Sequence, residues 1–151
     1  TTLETSVRIE GLADRKAPRI QAALRRIYAE RGDYNIDFLA DLPVEEAMSW
    51  LRSFDGIGHN TASIVMLFCF GKAAFPVDTH VGRVTRRLGL AEPKAPEEKI
   101  KGLWETLAPP EQFYALHLNL IRHGRQVCHA GRPECRRCVL LDICAYPDKT
   151  L

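Results

Sequence analysis

The chain has 151 residues, 46% of them hydrophobic and 26% charged, a composition that excludes collagen-like and disordered chains. Lys plus Arg number 21 against 19 Asp plus Glu, a formal charge of +2; so mild an excess neither demands nor excludes nucleic acid. The longest apolar run, 62–70 with Ser63 inside it, is too short to span a bilayer, and the first residues lack the basic and apolar regions of a secretory signal. The expectation is an intracellular monomer with no membrane partner, in a reducing setting where cysteines serve more often as ligands than as disulfides.

Every periodic segment has the spacing of a helix and none alternates as a strand does, so the expected class is all-α. A first helix is predicted over 17–30, with Ile20, Ala23, Leu24, Ile27 and Tyr28 inward and Gly32 ending it. Pro43 opens a second, turning Ala47, Trp50, Leu51 and Phe54 inward. After Asp55, Gly56, Ile57 and Gly58, Asn60 or Thr61 caps a third that Gly71 stops. Apolar nearly all round, this third helix is expected at the centre of a core, with Cys69 a small buried hydrophobe. A fourth covers 79–88 and Gly89 closes it. A fifth turns Ile100, Leu103, Trp104 and Leu107 inward, and Pro109 and Pro110 separate it from a sixth over 113–121.

Three features carry chemistry. Cys128, Cys135, Cys138 and Cys144 form a C-x6-C-x2-C-x5-C array, four thiols close enough in sequence to close a site at little loop cost. Spacing alone leaves an iron–sulfur cluster, zinc and plain thiols or disulfides open, since only Cys135 and Cys138 make a zinc-type knuckle. Gly56 and Gly58 allow a tight turn whose backbone N–H groups can meet a phosphate, against the plainer reading of a turn between packed helices. Asp78 is placed to cap the fourth helix, the common role for such a residue. Positive charge gathers at Arg83, Arg86 and Arg87, and again at Arg122, Arg125, Arg132, Arg136 and Arg137 against a lone Glu134; such runs are either solvated faces or phosphate contacts.

Four stretches, in order, resemble the endonuclease III family of DNA glycosylases over essentially the whole chain. They are the hairpin from Leu51 through Phe54, Asp55, Gly56, Ile57 and Gly58 to Thr61 and Ala62; the run Val77, Asp78, Thr79, His80, Val81, Arg83, Val84; the triplet His123, Gly124, Arg125; and the cysteine array. The stretch AFPVDTHVGRVTRRLGL is also similar to the plant 5-methylcytosine glycosylases. The resemblance implies a helix-hairpin-helix fold, with a helical barrel lobe over 1–74, the hairpin at about 44–70, and an iron–sulfur lobe over 75–151 whose loop at 128–144 holds a 4Fe-4S cluster on Cys128, Cys135, Cys138 and Cys144. It implies double-stranded DNA containing a damaged or modified base as partner, met by Gly56, Ile57, Gly58, His80, Arg83, Arg125 and Arg132, with Asp78 as the key carboxylate.

Three departures shape the expected reaction. Asn60 stands where bifunctional members carry Lys, Asp55 replaces the usual hairpin Pro, and the family's first helices, which supply a wedge and part of the base pocket, are expected to be missing. Without an amine at position 60 the Schiff-base route is closed there, so the expected activity is hydrolysis of the N-glycosidic bond with little or no AP lyase activity. The alternatives are a lyase that uses another amine, from Lys72, Lys94 or Lys99, and a non-catalytic DNA-binding or damage-sensing protein on the same fold.

Overall fold

A computed structural model describes residues 13–151, and among these every regular element is helical. The chain separates into two compact units, Thr1–Gly58 and His59–Leu151.

In the first unit, α1 spans Ala13–Arg31; Gly32 N–H still bonds the Tyr28 carbonyl at 2.8 Å, and its φ of +78° turns the chain out of the helix. Leu24 and Tyr28, expected inward, lie exposed instead. The reason is that α1 meets the following helix with its polar edge: Arg26 lies over the Phe54 ring at 4.1 Å, and Glu30 accepts the Trp50 indole N–H at 3.1 Å. Long arginine stems cover aromatic faces and keep their charge in water, so the contact stripe is rotated away from the apolar one. A 3₁₀ turn, Asp37–Asp41, leads to α2, Val44–Arg52. Pro43 caps α2 rather than starting it; Ala47, Leu51 and Phe54 are buried as the spacing predicts, Trp50 is half-buried, and Met48 is buried beside them.

In the second unit, α3 runs His59–Ile64 and continues as a π-helical turn, Val65–Cys69. Its burial is one-sided. Ala62, Ser63, Met66 and Leu67 are buried, whereas Phe68 and Cys69 are exposed, which corrects both the all-round core position and the buried Cys69. An apolar run shows that a helix is hydrophobic but not which side finds a partner; here Phe68 packs edge-on against Tyr114 and His117 at the surface, 5.0 and 5.8 Å between ring centres.

The core of this unit gathers around Phe75, which stacks on Trp104 and meets Phe113 edge-on. Val77, Val81, Val84, Ile100 and Leu120 surround it. Truncating so fully buried an aromatic costs about 3–5 kcal/mol. The fourth helix, α4, spans Thr79–Leu88 with Asp78 as N-cap and left-handed Gly89 as C-cap, the bounds the sequence predicts. Next, α5 spans Glu97–Leu107; Ile100 is buried, but Leu107 in its last turn is exposed, against expectation. The last helix, α6, spans Phe113–Gln126, longer than predicted. It comes close to α4 because Gly124 has no side chain: a Cβ there would sit 3.0 Å from that of His80.

Candidate functional site

The hairpin turn is built on one backbone hydrogen bond, from Ile57 N–H to the Phe54 carbonyl at 3.2 Å, with Gly56 at φ +81°. A bond from the fourth residue to the first, with the third left-handed, is the pattern of a type II turn. Gly56 is therefore required by its conformation. Gly58 is not: its φ is not positive, and a Cβ there would meet nothing within 4 Å. The Gly56 and Gly58 amides have no acceptor among the described residues, whereas the Ile57 amide is engaged. Two bare N–H groups on an exposed turn form a small anion cradle.

Beyond the buried side of α3, the segment before α4 is held from below. His117, buried on α6, bonds through Nδ1 to the Pro76 carbonyl at 2.9 Å, and a carbonyl can only accept, so Nδ1 carries the proton. Burial holds this imidazole below its ordinary pKa, which keeps it neutral near pH 7. Asp78 follows two residues later. One carboxylate oxygen, Oδ1, accepts the Val81 N–H at 2.8 Å; Oδ2 accepts no hydrogen bond among the described residues. The cap fixes the carboxyl group while leaving an acceptor for chemistry. Asn60, in the first turn of α3, has its amide oxygen buried with no donor among the described residues.

The arginines of α4 mostly serve the protein itself. Arg83 donates Nε to the Cys128 carbonyl at 3.0 Å and Nη2 to the Gly124 carbonyl at 2.8 Å, with Nη2 also 3.0 Å from His80 Nδ1. Arg86 places two nitrogens on the Ala95 carbonyl. Arg87 grips the cysteine loop through Cys128 Sγ at 3.3 Å and the His129 and Ala130 carbonyls at 2.7 and 2.9 Å, and its guanidinium lies over Tyr146. Of the predicted DNA contacts, His80 and Arg83 thus have partners within the protein. Arg125 and Arg132 are exposed and have none among the described residues. Sequence reading missed the grip of Arg87 on the loop; a basic cluster shows charge, not what receives it.

Cys128, Cys135, Cys138 and Cys144 line one cavity with Val84, Leu88 and Val127. Their sulfurs meet donors: Arg87 on Cys128, and the Leu140 N–H on Cys138 at 3.4 Å. Cys144 donates to the Arg87 carbonyl at 3.3 Å, and the His123 ring lies 3.6 Å from Cys138 Sγ. No three His, Cys, Asp or Glu side chains among the described residues converge closely enough to hold a single metal ion.

Residues 1–110 match the family model for HhH-GPD superfamily base excision DNA repair proteins. The chain belongs to this superfamily. Among curated relatives, an endonuclease III of Sulfolobus acidocaldarius is 32% identical over 145 residues, covering 96% of this chain and 62% of that protein. The Arabidopsis thaliana DNA glycosylase/AP lyase ROS1 is 30% identical over 158 residues, covering 93% of this chain and 11% of that one. A solved structure of a trapped endonuclease III–DNA covalent intermediate superposes with a TM-score of 0.79 at 30% identity, over 95% of this chain and 63% of that one. The chain thus spans less than two-thirds of the length of these relatives. As an HhH-GPD member it has the all-helical fold expected, and the matched segment takes in the hairpin, Asn60 and Asp78.

Proposed function

We propose that this HhH-GPD protein is a DNA glycosylase of base-excision repair that hydrolyses the N-glycosidic bond of a damaged or modified base and has little or no AP lyase activity. The observation that carries the reading is Asn60: it stands in the first turn of α3, where bifunctional members carry Lys, and its buried amide oxygen has no partner among the described residues. An amide cannot form a Schiff base; it can accept a hydrogen bond from water. Cleavage leaves positive charge on the sugar, and the unengaged Asp78 Oδ2 is suited to stabilise that charge or to take a proton from the attacking water.

Double-stranded DNA is the partner this reading requires, because the target base must leave the stack to be reached. The bare amides of Gly56 and Gly58 receive a phosphate, and Arg125 and Arg132 offer exposed charge to others. Arg83 and His80 act one step back, holding the loop rather than the DNA.

The cysteine array fits a 4Fe-4S cluster held by Cys128, Cys135, Cys138 and Cys144. Four thiols share one cavity without converging on a point, and N–H donors already face Cys128 and Cys138, as thiolate sulfurs favour. Such a cluster would supply folding energy to the loop carrying Arg132. Iron and sulfide analysis of the purified protein tests this; one zinc and no iron would overturn it.

The reaction type is tested by duplexes carrying a panel of lesions and by an abasic duplex with borohydride. Wild type should release a base yet leave strands uncut and trap no adduct. Asn60→Lys should gain strand cleavage and a trapped adduct, since an amine then stands where the sugar is attacked. Efficient trapping by wild type would show that another amine serves, and release of no base would favour a binding protein.

A further inference from the structure

The hairpin carries one charge of the wrong sign for its task. Asp55, 83% exposed, is the second residue of the turn and sits beside the two bare amides. That position favours Pro, whose ring presets φ near −65°; Asp provides no such restriction and brings a negative charge to a phosphate cradle. Arg19, 36 residues earlier on α1, answers that charge. Its Nε donates to Asp55 Oδ2 at 3.1 Å. Its side chain lies directly on the turn: a Cβ at Gly56 would stand 2.9 Å from Arg19 Cδ, 3.0 Å from Nη1 and 3.1 Å from Nε.

An exposed ion pair of this kind is ordinarily weak. This one differs because the arginine occupies the space that the absent Gly56 side chain leaves free, and so is seated against the turn's backbone. Arg19 is 49% exposed, and neither Nη1 nor Nη2 has an acceptor among the described residues.

We propose that Arg19 and Asp55 form a charge latch on the hairpin. Arg19 neutralises the Asp55 carboxylate and so keeps the turn's amides open to a phosphate. Its two free nitrogens supply the cation that an incoming phosphate meets. Arg19 is thus a positioning residue for the amides of Gly56 and Gly58. The inference rests on the reading of the hairpin as a phosphate site.

The test is fluorescence anisotropy on a labelled duplex containing a stable abasic-site analogue, with wild type, Arg19→Ala, Asp55→Asn and the double variant, each checked for folding by circular dichroism. Arg19→Ala should weaken binding about tenfold, because it removes a cation and uncovers a carboxylate beside the phosphate. Adding Asp55→Asn should recover the part of that loss due to the uncovered carboxylate, and Asp55→Asn alone should bind at least as tightly as wild type. An Arg19→Ala variant that binds normally overturns the latch. So does a double variant as weak as Arg19→Ala, since neutralisation would then not be the arginine's role. Failure of wild type itself to bind any duplex would instead sink the phosphate-site reading, and the latch with it.

Discussion

The hairpin and the cysteine loop are both rich in hydrogen-bond donors, yet they use them in opposite ways. Around the loop the donors point inward: Arg83 and Arg87 reach the carbonyls of Gly124, Cys128, His129 and Ala130, and Arg87 also reaches a cysteine sulfur. At the hairpin the Gly56 and Gly58 amides face no acceptor at all among the described residues. The lesson is that a basic patch and an open turn differ in which donors remain free. Charged arginines can be employed in holding a loop, while two uncharged amides remain free among the described residues.

That contrast can be broken at either end. The largest effect is expected from Arg87→Ala, which strips a sulfur and two carbonyls of their donor and should cost about 2 kcal/mol of stability. It should leave the salt dependence of DNA binding unchanged, and thermal melting with a salt titration checks both halves. Gly58→Ala should do the reverse. The added methyl meets nothing, so the melting temperature should hold, while DNA binding falls about tenfold if a phosphate approaches the amide closely, the scale of one charge-assisted hydrogen bond. Normal DNA affinity for this variant would remove Gly58 from the site.

A smaller effect separates the arginines. Arg132→Ala should lower the slope of log affinity against log salt by about 0.9, the value of one lost phosphate contact. Arg83→Ala should weaken the fold with little change of slope, and an equal loss of slope from both would blur the distinction. The smallest effect concerns His117. Burial holds its folded-state pKa below the ordinary 6.5, so the unfolded chain takes up the proton first as pH falls. Stability present above about pH 6.5 should therefore drain away below it. Replacing His117 by Asn should flatten that part of the curve, as chemical denaturation at several pH values would show.

Much of the frame was legible in the sequence. Asp78, the apolar spacing after it and Gly89 fixed α4 at both ends, because caps are local chemistry. Pro43 marked the start of α2 for the same reason. What local chemistry does not record is which partner a side chain finds. The run at 62–70 showed an apolar helix but not that Phe68 and Cys69 face outward. The spacing in α1 pointed to Leu24 and Tyr28, while the contact was made by Arg26 and Glu30 through ring faces and an indole N–H. Likewise, the sequence showed the departure at Asp55 but not the arginine that answers it from α1.

The site divides along the same line. The four cysteines and the glycine turn were visible as spacing. Arg83 and His80 were visible as basic residues, but not the hydrogen bonds that join them to each other and tie Arg83 to the Cys128 and Gly124 carbonyls. Asn60 could be seen as a departure, but only the fold shows that its oxygen is buried without a donor among the described residues.

The central claim is that Asp78 acts in the chemistry and is more than a helix cap. Single-turnover base release by Asp78→Asn, measured beside its melting temperature and duplex affinity, tests that directly. Asn can still cap α4, so folding and binding should be kept while base release falls by about a hundredfold or more, the scale of a general base or charge stabiliser. Release at the wild-type rate by a folded, DNA-binding Asp78→Asn variant would contradict the account.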